Sequence, residues 1–268
     1  HEINDLFGNP KLFNIKGKKK FQCDYILTFN NSVGKLYKKY ITTKTITVGN
    51  LKNNIFKKHT SSIKNTVLYI SQFRTRFLKD DYHYSHGSKV CLMSKWLEAE
   101  TKLLPLLITY CKKNNLKLFV CGTAGNKQNI LLEKIYLRKK FKHSGWIYWN
   151  KTKNVYSRYK YFDRFEIIVS ISSTLGYELF SRNQKVAFFR RKISGYRDSK
   201  FGWPSKLPDS GPFFASEINA QEIIRILNYL RNINNSEWVD STKMITNKIM
   251  HYDYKNTKLK NFLRELLA

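Results

Sequence analysis

Short apolar runs, rich in β-branched and aromatic residues, recur along the chain and end on polar turns. Asp24–Phe29 closes on Asn30-Asn31, Thr42–Val48 on Gly49-Asn50, and Thr66–Ile70 on Ser71-Gln72-Phe73-Arg74. Leu116–Cys121 closes on Gly122-Thr123-Ala124-Gly125 and Glu166–Ile171 on Ser172-Ser173-Thr174. Each pattern predicts a strand, and Trp146–Trp149 and Lys185–Phe189 predict two more. Between 94 and 114, Trp96, Leu97, Leu103, Leu104, Leu107, Ile108 and Cys111 fall mostly on one face, which predicts a helix. Helices are also predicted over 128–141 and 220–231, over 32–40 with Ser32 as the cap, and from the Ser172–Thr174 turn to Arg182. Two helical segments close the chain. Residues 51–64 read as a polar, basic crossing, 153–164 as helix or loop, and 77–90 as a long loop carrying Tyr82, His83, Tyr84, His86 and Gly87.

Strands alternating with helices are the pattern of a parallel sheet covered by helices. Such sheets bind ligands beyond the carboxyl ends of their strands. The loops after Ile70, Cys121, Ile171 and Phe189 are therefore expected to face one crevice.

Composition narrows the picture. A chain with 42% hydrophobic and 15% aromatic residues is not disordered. No apolar run is long enough to cross a bilayer, and Leu103–Cys111, interrupted by Pro105, reads as a buried helix. The net charge of +30 points toward anionic partners. The basic residues are mostly lysine, however, and are scattered among many Asn and Ile, as codon bias in an AT-rich genome would leave them. Without a helix-turn-helix, zinc-finger or RNP-type motif, nucleic acid is not expected as a partner. The four cysteines, Cys23, Cys91, Cys111 and Cys121, form no CxxC pair and read as reduced, buried thiols. His83 and His86 read as loop residues rather than metal ligands. The chain opens on His1 rather than Met, which predicts a piece of a longer protein.

The chemistry concentrates in Ser172-Ser173-Thr174-Leu175-Gly176-Tyr177-Glu178. Small hydroxyl residues between a strand and a helix start, with exposed N–H groups, form an anion site. Gly176 would let a ligand approach the backbone, and Glu178 could accept bonds from ribose hydroxyls. The plainer reading is an ordinary capped helix. Gly122-Thr123-Ala124-Gly125-Asn126-Lys127 departs from the GxxxxGK[ST] phosphate loop and reads either as a tight turn or as a lining of a nucleotide pocket. Arg74 is either a two-pronged donor to phosphate or a solvated loop residue. Asp163 and Glu166 read as surface charges.

The Glu166–Ile171 strand with Ser173-Thr174-Leu175-Gly176-Tyr177-Glu178, the Lys185–Phe189 strand, Phe201-Gly202-Trp203-Pro204 and Gly211-Pro212-Phe213-Phe214 together resemble bacterial surface-carbohydrate biosynthesis proteins of the O-antigen type, within the GT-B glycosyltransferase superfamily. Val48-Gly49-Asn50 with Asn53-Asn54, and Ile70–Arg74, also resemble that family, and the likeness spans 22–215. It implies an α/β, GT-B-like fold: a Rossmann-like parallel sheet flanked by helices, with a truncated N-terminal Rossmann-like portion. Residues 1–64 would be the partial acceptor-side domain. Residues 65–215 would be the nucleotide-sugar-binding domain, and 216–268 helices packing back on both.

The resemblance further implies donor contacts from Ser71, Arg74, Gly122, Thr123, Ser172, Ser173, Thr174, Gly176 and Glu178. Gly49, Asn50 and Asn53 would lie in the cleft between domains. The implied activity is transfer of a sugar from a nucleotide-sugar donor to a glycan or lipid-linked acceptor in cell-surface polysaccharide (O-antigen, capsule or lipopolysaccharide) biosynthesis. The catalytic base is unassigned, and no cofactor or metal is expected. The implied setting is cytoplasmic, with peripheral contact to the anionic inner face of the membrane. The competing readings are a sugar-nucleotide epimerase of the same fold, a non-enzymatic polyanion or nucleic-acid binder, and a folded but inactive remnant.

Overall fold

The computed structural model describes residues 21–58, 62–74, 83–86, 89–92, 97–122, 126–141, 145–149, 157–171, 173–190, 201–202 and 207–268. The described residues open with a small parallel unit: β1 (Phe21–Thr28), α1 (Asn31–Tyr37) and β2 (Ile41–Thr47). Asn30, rather than Ser32, caps α1. Its backbone is extended and its Oδ1 accepts the Val33 N–H at 2.8 Å, while its amide donates to the Ile249 carbonyl. A 3-10 turn at Asn53–Ile55 follows.

The main sheet is built from β3 (Ile63–Ile70), β6 (Lys117–Cys121), β7 (Ile147–Trp149), β8 (Phe165–Ile171) and β9 (Val186–Phe189), all parallel. A hairpin of β4 (His83–His86) and β5 (Lys89–Leu92) leaves β3 before α2 (Glu98–Lys113). It falls largely on the predicted 77–90 loop, because β4, His83-Tyr84-Ser85-His86, carries no apolar alternation and β5 is only four residues long. Helices α3 (Lys127–Phe141), α4 (Ser157–Phe162) and α5 (Thr174–Ser181) alternate with the later strands. Two short strands, β10 (Ser210–Gly211) and β11 (Phe214–Ala215), extend the sheet beyond β9. The final helices are α6 (Ala220–Asn232), α7 (Asn235–Ile249) and α8 (Thr257–Leu267). Asn219 caps α6, and Asn234 with Glu237 forms a capping box on α7.

The strand order is β10-β11-β9-β8-β3-β6-β7. The chain therefore lays β6 and β7 on one side of β3, then crosses to lay β8 and β9 on the other. Val67–Ile70 and Ile167–Val169 are almost wholly buried in the centre. Helix α2 covers the sheet with Leu103, Leu104, Leu107 and Cys111, and Pro105 stays exposed on its outer face. Helix α6 packs Ile223, Ile226, Leu227 and Leu230 into the same core, between α2 and the β8–β9 strands. Among the described residues, no helix is long and apolar enough to cross a membrane. The expectation of buried thiols holds for Cys111 and Cys121, but Cys23 is exposed on β1. The side chain of Cys91 is not among those described.

Candidate functional site

The order of the strands fixes where a ligand crevice belongs. β3 and β8 are neighbours, and the chain leaves them in opposite directions, so the connecting loops separate at their carboxyl ends. Ser71–Arg74 leaves β3, Gly122 leaves β6, and Ser173–Thr174 leaves β8. The structure thus brings Ser71, Arg74, Gly122, Ser173 and Thr174 to the same edge of three adjacent strands. Thr123 and Ser172 lie outside the described residues.

The β3 loop is tightly held. The Ser71 N–H donates to the Cys121 carbonyl at 2.9 Å, and the Ser71 hydroxyl accepts the Phe73 N–H at 3.1 Å. Phe73 is buried and stacks on Tyr136. Arg74, at the loop's end, is exposed and donates to the Phe73 carbonyl at 2.8 Å.

Beneath this loop lies a group that the sequence reading passed over. Glu100 of α2 is completely buried, and its Oε2 accepts the Tyr69 hydroxyl at 2.8 Å and the Gln72 N–H at 2.6 Å. Burial raises its pKa to about 7 against these bonds, with the neighbouring Glu133 carboxylate adding to the rise. Glu133 of α3 is equally buried, accepts the Tyr148 hydroxyl at 3.0 Å and abuts Gly122. A signal for Glu100 was present in the sequence: it stands on the same helical face as Leu103, Leu104, Leu107 and Cys111, where a carboxylate has no place unless it is bonded.

At the start of α5, Ser173 is the N-cap but its side chain makes no capping bond, and Thr174 is exposed. The Ser173 N–H donates to Ser170 Oγ at 3.3 Å, which leaves the first N–H groups of the helix itself, from Thr174, as the candidate donors at the strand-end edge. Gly176 serves packing. A Cβ there would lie 2.4 Å from Ser170 Oγ and 2.6 Å from Ser170 Cβ, so the glycine lets α5 settle onto β8. The expected approach of a ligand to this residue is replaced by the approach of a strand.

Glu178, one turn into α5, is 4% exposed. Its Oε1 accepts the Asn50 amide at 2.6 Å, and Tyr159 also bonds to it. The Asn53 amide donates to the Glu178 carbonyl at 3.2 Å and to Ser181 Oγ at 3.0 Å. Burial raises the Glu178 pKa to about 7, opposed by its hydrogen bonds and by the Arg182 and Lys52 charges. Gly49 has φ of +73°, and a Cβ there would strike the His251 carbonyl at 2.0 Å. Gly49 and Asn53 are buried, and Asn50 is half-buried. Of the residues expected to line a cleft, Asn50 and Asn53 are hydrogen-bonded to α5, and Gly49 lies against the His251 carbonyl just beyond α7. Glu178 is thus already engaged by Asn50 and Tyr159 rather than open to a donor hydroxyl.

Asp163 is not a surface charge. It is 1% exposed and pairs with the buried Arg182 at 2.5 Å.

A sequence-family model described as "putative O-antigen biosynthesis protein" matches residues 1–267. The chain belongs to that family. No curated protein matches it in sequence. Its matches among solved structures are distant. A glycosyltransferase from Rickettsia africae ESF-5 is 11% identical, with a TM-score of 0.47 over 100% of this chain and 68% of the other. The C-terminal domain of a group 1 glycosyl transferase family protein (LpcC) from Francisella tularensis is 11% identical, with a TM-score of 0.39 over 78% of this chain and 97% of the other. A GtfA/B complex is 10% identical, with a TM-score of 0.44 over 91% of this chain, which spans only 45% of that one. At this distance they lend no residue role to the O-antigen family chain described here.

Proposed function

We propose that this chain is the nucleotide-sugar-binding part of a GT-B type glycosyltransferase of O-antigen biosynthesis. The observation that carries the reading is the switch point. The open helix start at Ser173–Thr174 and the clamped loop at Ser71–Arg74 leave adjacent parallel strands in a member of the O-antigen biosynthesis family. A sugar-nucleotide diphosphate would sit on the hydroxyls of Ser173 and Thr174 and the Thr174 N–H, with Arg74 as the cation that balances the leaving phosphate. Transfer breaks the bond between the anomeric carbon and the diphosphate, and the acceptor hydroxyl forms the new one while giving up its proton to a base. Glu178 and Glu100, both with pKa near 7, are poised to exchange protons at neutral pH, but each is held by protein groups. We leave the base unassigned.

The acceptor, a glycan or lipid-linked sugar, would come from the membrane side. Helix α8 presents Leu263, Leu266 and Leu267 exposed beside Lys258, Lys260 and Arg264, a surface suited to an anionic bilayer.

The test is a thermal-shift screen against UDP-, CMP-, GDP- and dTDP-sugars at low and high salt. A ligand that binds only the native state raises the midpoint. A rise with one nucleotide class that survives salt supports the reading. No rise with any of them, together with a salt-sensitive rise on RNA or heparin, replaces it with a polyanion binder.

A further inference from the structure

A second site stands at the other edge of the sheet, where the strands begin. A cavity of about 290 Å³ opens there among the amino ends of β3, β8 and β9, the turn that follows α5, and the start of α7. Lys58, Lys64, Arg182 and Lys185 line it against two carboxylates, Asp163 and Glu166. Both acids already have partners. Asp163 pairs with Arg182 at 2.5 Å, with both side chains wholly buried, and Glu166 Oε2 accepts the Asn65 N–H at 2.6 Å.

The cations are engaged only in part: Lys185 Nζ donates to the Ile233 carbonyl and Lys58 Nζ lies 5.1 Å from the Tyr252 ring centroid, and each ammonium keeps further N–H donors. Arg182 donates from Nη2 to Asp163 and, at 2.9 Å, to the Tyr159 carbonyl, but its buried Nε and Nη1 meet no acceptor. Burial lowers the Lys58 pKa, and the Arg182 charge lowers it further. Burial also lowers that of Lys185, with Glu166 opposing and Lys64 adding to the fall. Like charges are therefore gathered in a partly desolvated hollow whose own acids leave a surplus of two positive charges. An anion entering the hollow would relieve the repulsion that now pushes the lysines toward their neutral forms.

We propose that this cavity binds a phosphate-class anion, either inorganic phosphate or a small phosphate monoester. The ammonium groups of Lys58, Lys64 and Lys185 would donate to its oxygens, with Arg182 behind them as a fixed source of positive field. The site goes beyond the donor crevice: it lies at the opposite ends of the strands and does not depend on glycosyl transfer.

The experiment is titration calorimetry of the full chain with inorganic phosphate and, separately, with glycerol 3-phosphate, at constant ionic strength set with chloride. Saturable binding of one phosphate per chain is expected, and the tighter of the two probes identifies the source. Lys58→Met with Lys64→Met should weaken it by about tenfold or more, the scale of a lost charge-assisted hydrogen bond. Lys112→Met with Lys113→Met, on α2 and outside the cavity, should leave it unchanged. Glu166→Gln, which keeps an oxygen for the Asn65 N–H, should tighten it, and this variant decides the matter if the double lysine variant does not fold. Absence of saturable binding to either probe overturns the proposal. So does equal weakening by the two lysine pairs, which would mean diffuse attraction to a basic surface, or an unchanged affinity in Glu166→Gln.

Discussion

The Asn50 amide donates to the Glu178 carboxylate at 2.6 Å, tying the crossing segment to helix α5. The bond joins residues 128 positions apart and does two things. It satisfies one oxygen of a buried carboxylate that Tyr159 also bonds, and it holds the β1–α1–β2 unit against the main sheet. Asn53 repeats the second job through the Glu178 carbonyl and Ser181.

Asn50→Ala should therefore destabilise the protein by about 1–3 kcal/mol, the cost of leaving a buried acceptor without its donor. Urea unfolding of the two proteins measures this. A change below about 0.5 kcal/mol, the range of an ordinary surface substitution, would show that water replaces the amide freely.

Stability should fall as pH rises from about 5 to about 8. Glu100 and Glu178 each have a folded pKa near 7, above the ordinary 4.5, because burial disfavours their charged forms. Between those values the folded chain holds more protons than the unfolded chain, so raising the pH favours unfolding. Each group's contribution is complete below 4.5 and lost as pH climbs through 7, amounting to up to about 3 kcal/mol. Urea melts at pH 5 and pH 8 should show the loss, and Glu100→Gln with Glu178→Gln should flatten it. An unchanged slope in the double variant would assign the pH dependence to other groups.

Asp163→Asn should cost about 3–5 kcal/mol, because it strands the wholly buried Arg182 guanidinium. Glu98→Ala, which breaks a pair with Lys102 whose side chains are 51% and 59% exposed, should cost no more than about 0.5 kcal/mol. Chemical denaturation of both variants tests the contrast, and similar losses in the two would contradict the burial argument.

Gly176→Ala should destabilise by about 1–3 kcal/mol, since the new methyl meets Ser170 at 2.4 Å. In a Ser170→Gly background the same change should cost less, and a double-mutant cycle reads the difference. Additive effects would mean that the glycine acts through something other than this contact.

Arg74→Ala should leave the melting midpoint almost unchanged, because the side chain is exposed. If the sugar-nucleotide reading holds, the same variant should weaken binding of the donor found by thermal shift by about tenfold. Unaltered affinity would remove Arg74 from the site.

The sequence by itself determined the long buried strands, most of the helices and the parallel α/β class, but not the short strands β4, β5, β10 and β11. Apolar runs such as Ile167–Ile171 have few options: flanked by turns and bounded by amphipathic helices, they must be buried from both faces. The Ser173–Thr174 turn was legible for the same reason, since a buried strand ending on small hydroxyl residues marks a helix start. Periodicity reports only which face of an element is apolar, and says nothing about what lies opposite. Tertiary structure alone decided that Glu178 meets Asn50, that Gly176 admits a strand rather than a ligand, and that Asp163 is buried against Arg182. It also gathered Lys58, Lys64 and Lys185 from three segments into one cavity. A polar residue's role depends on the partner that folding brings to it, and these partners come from segments far apart in the chain.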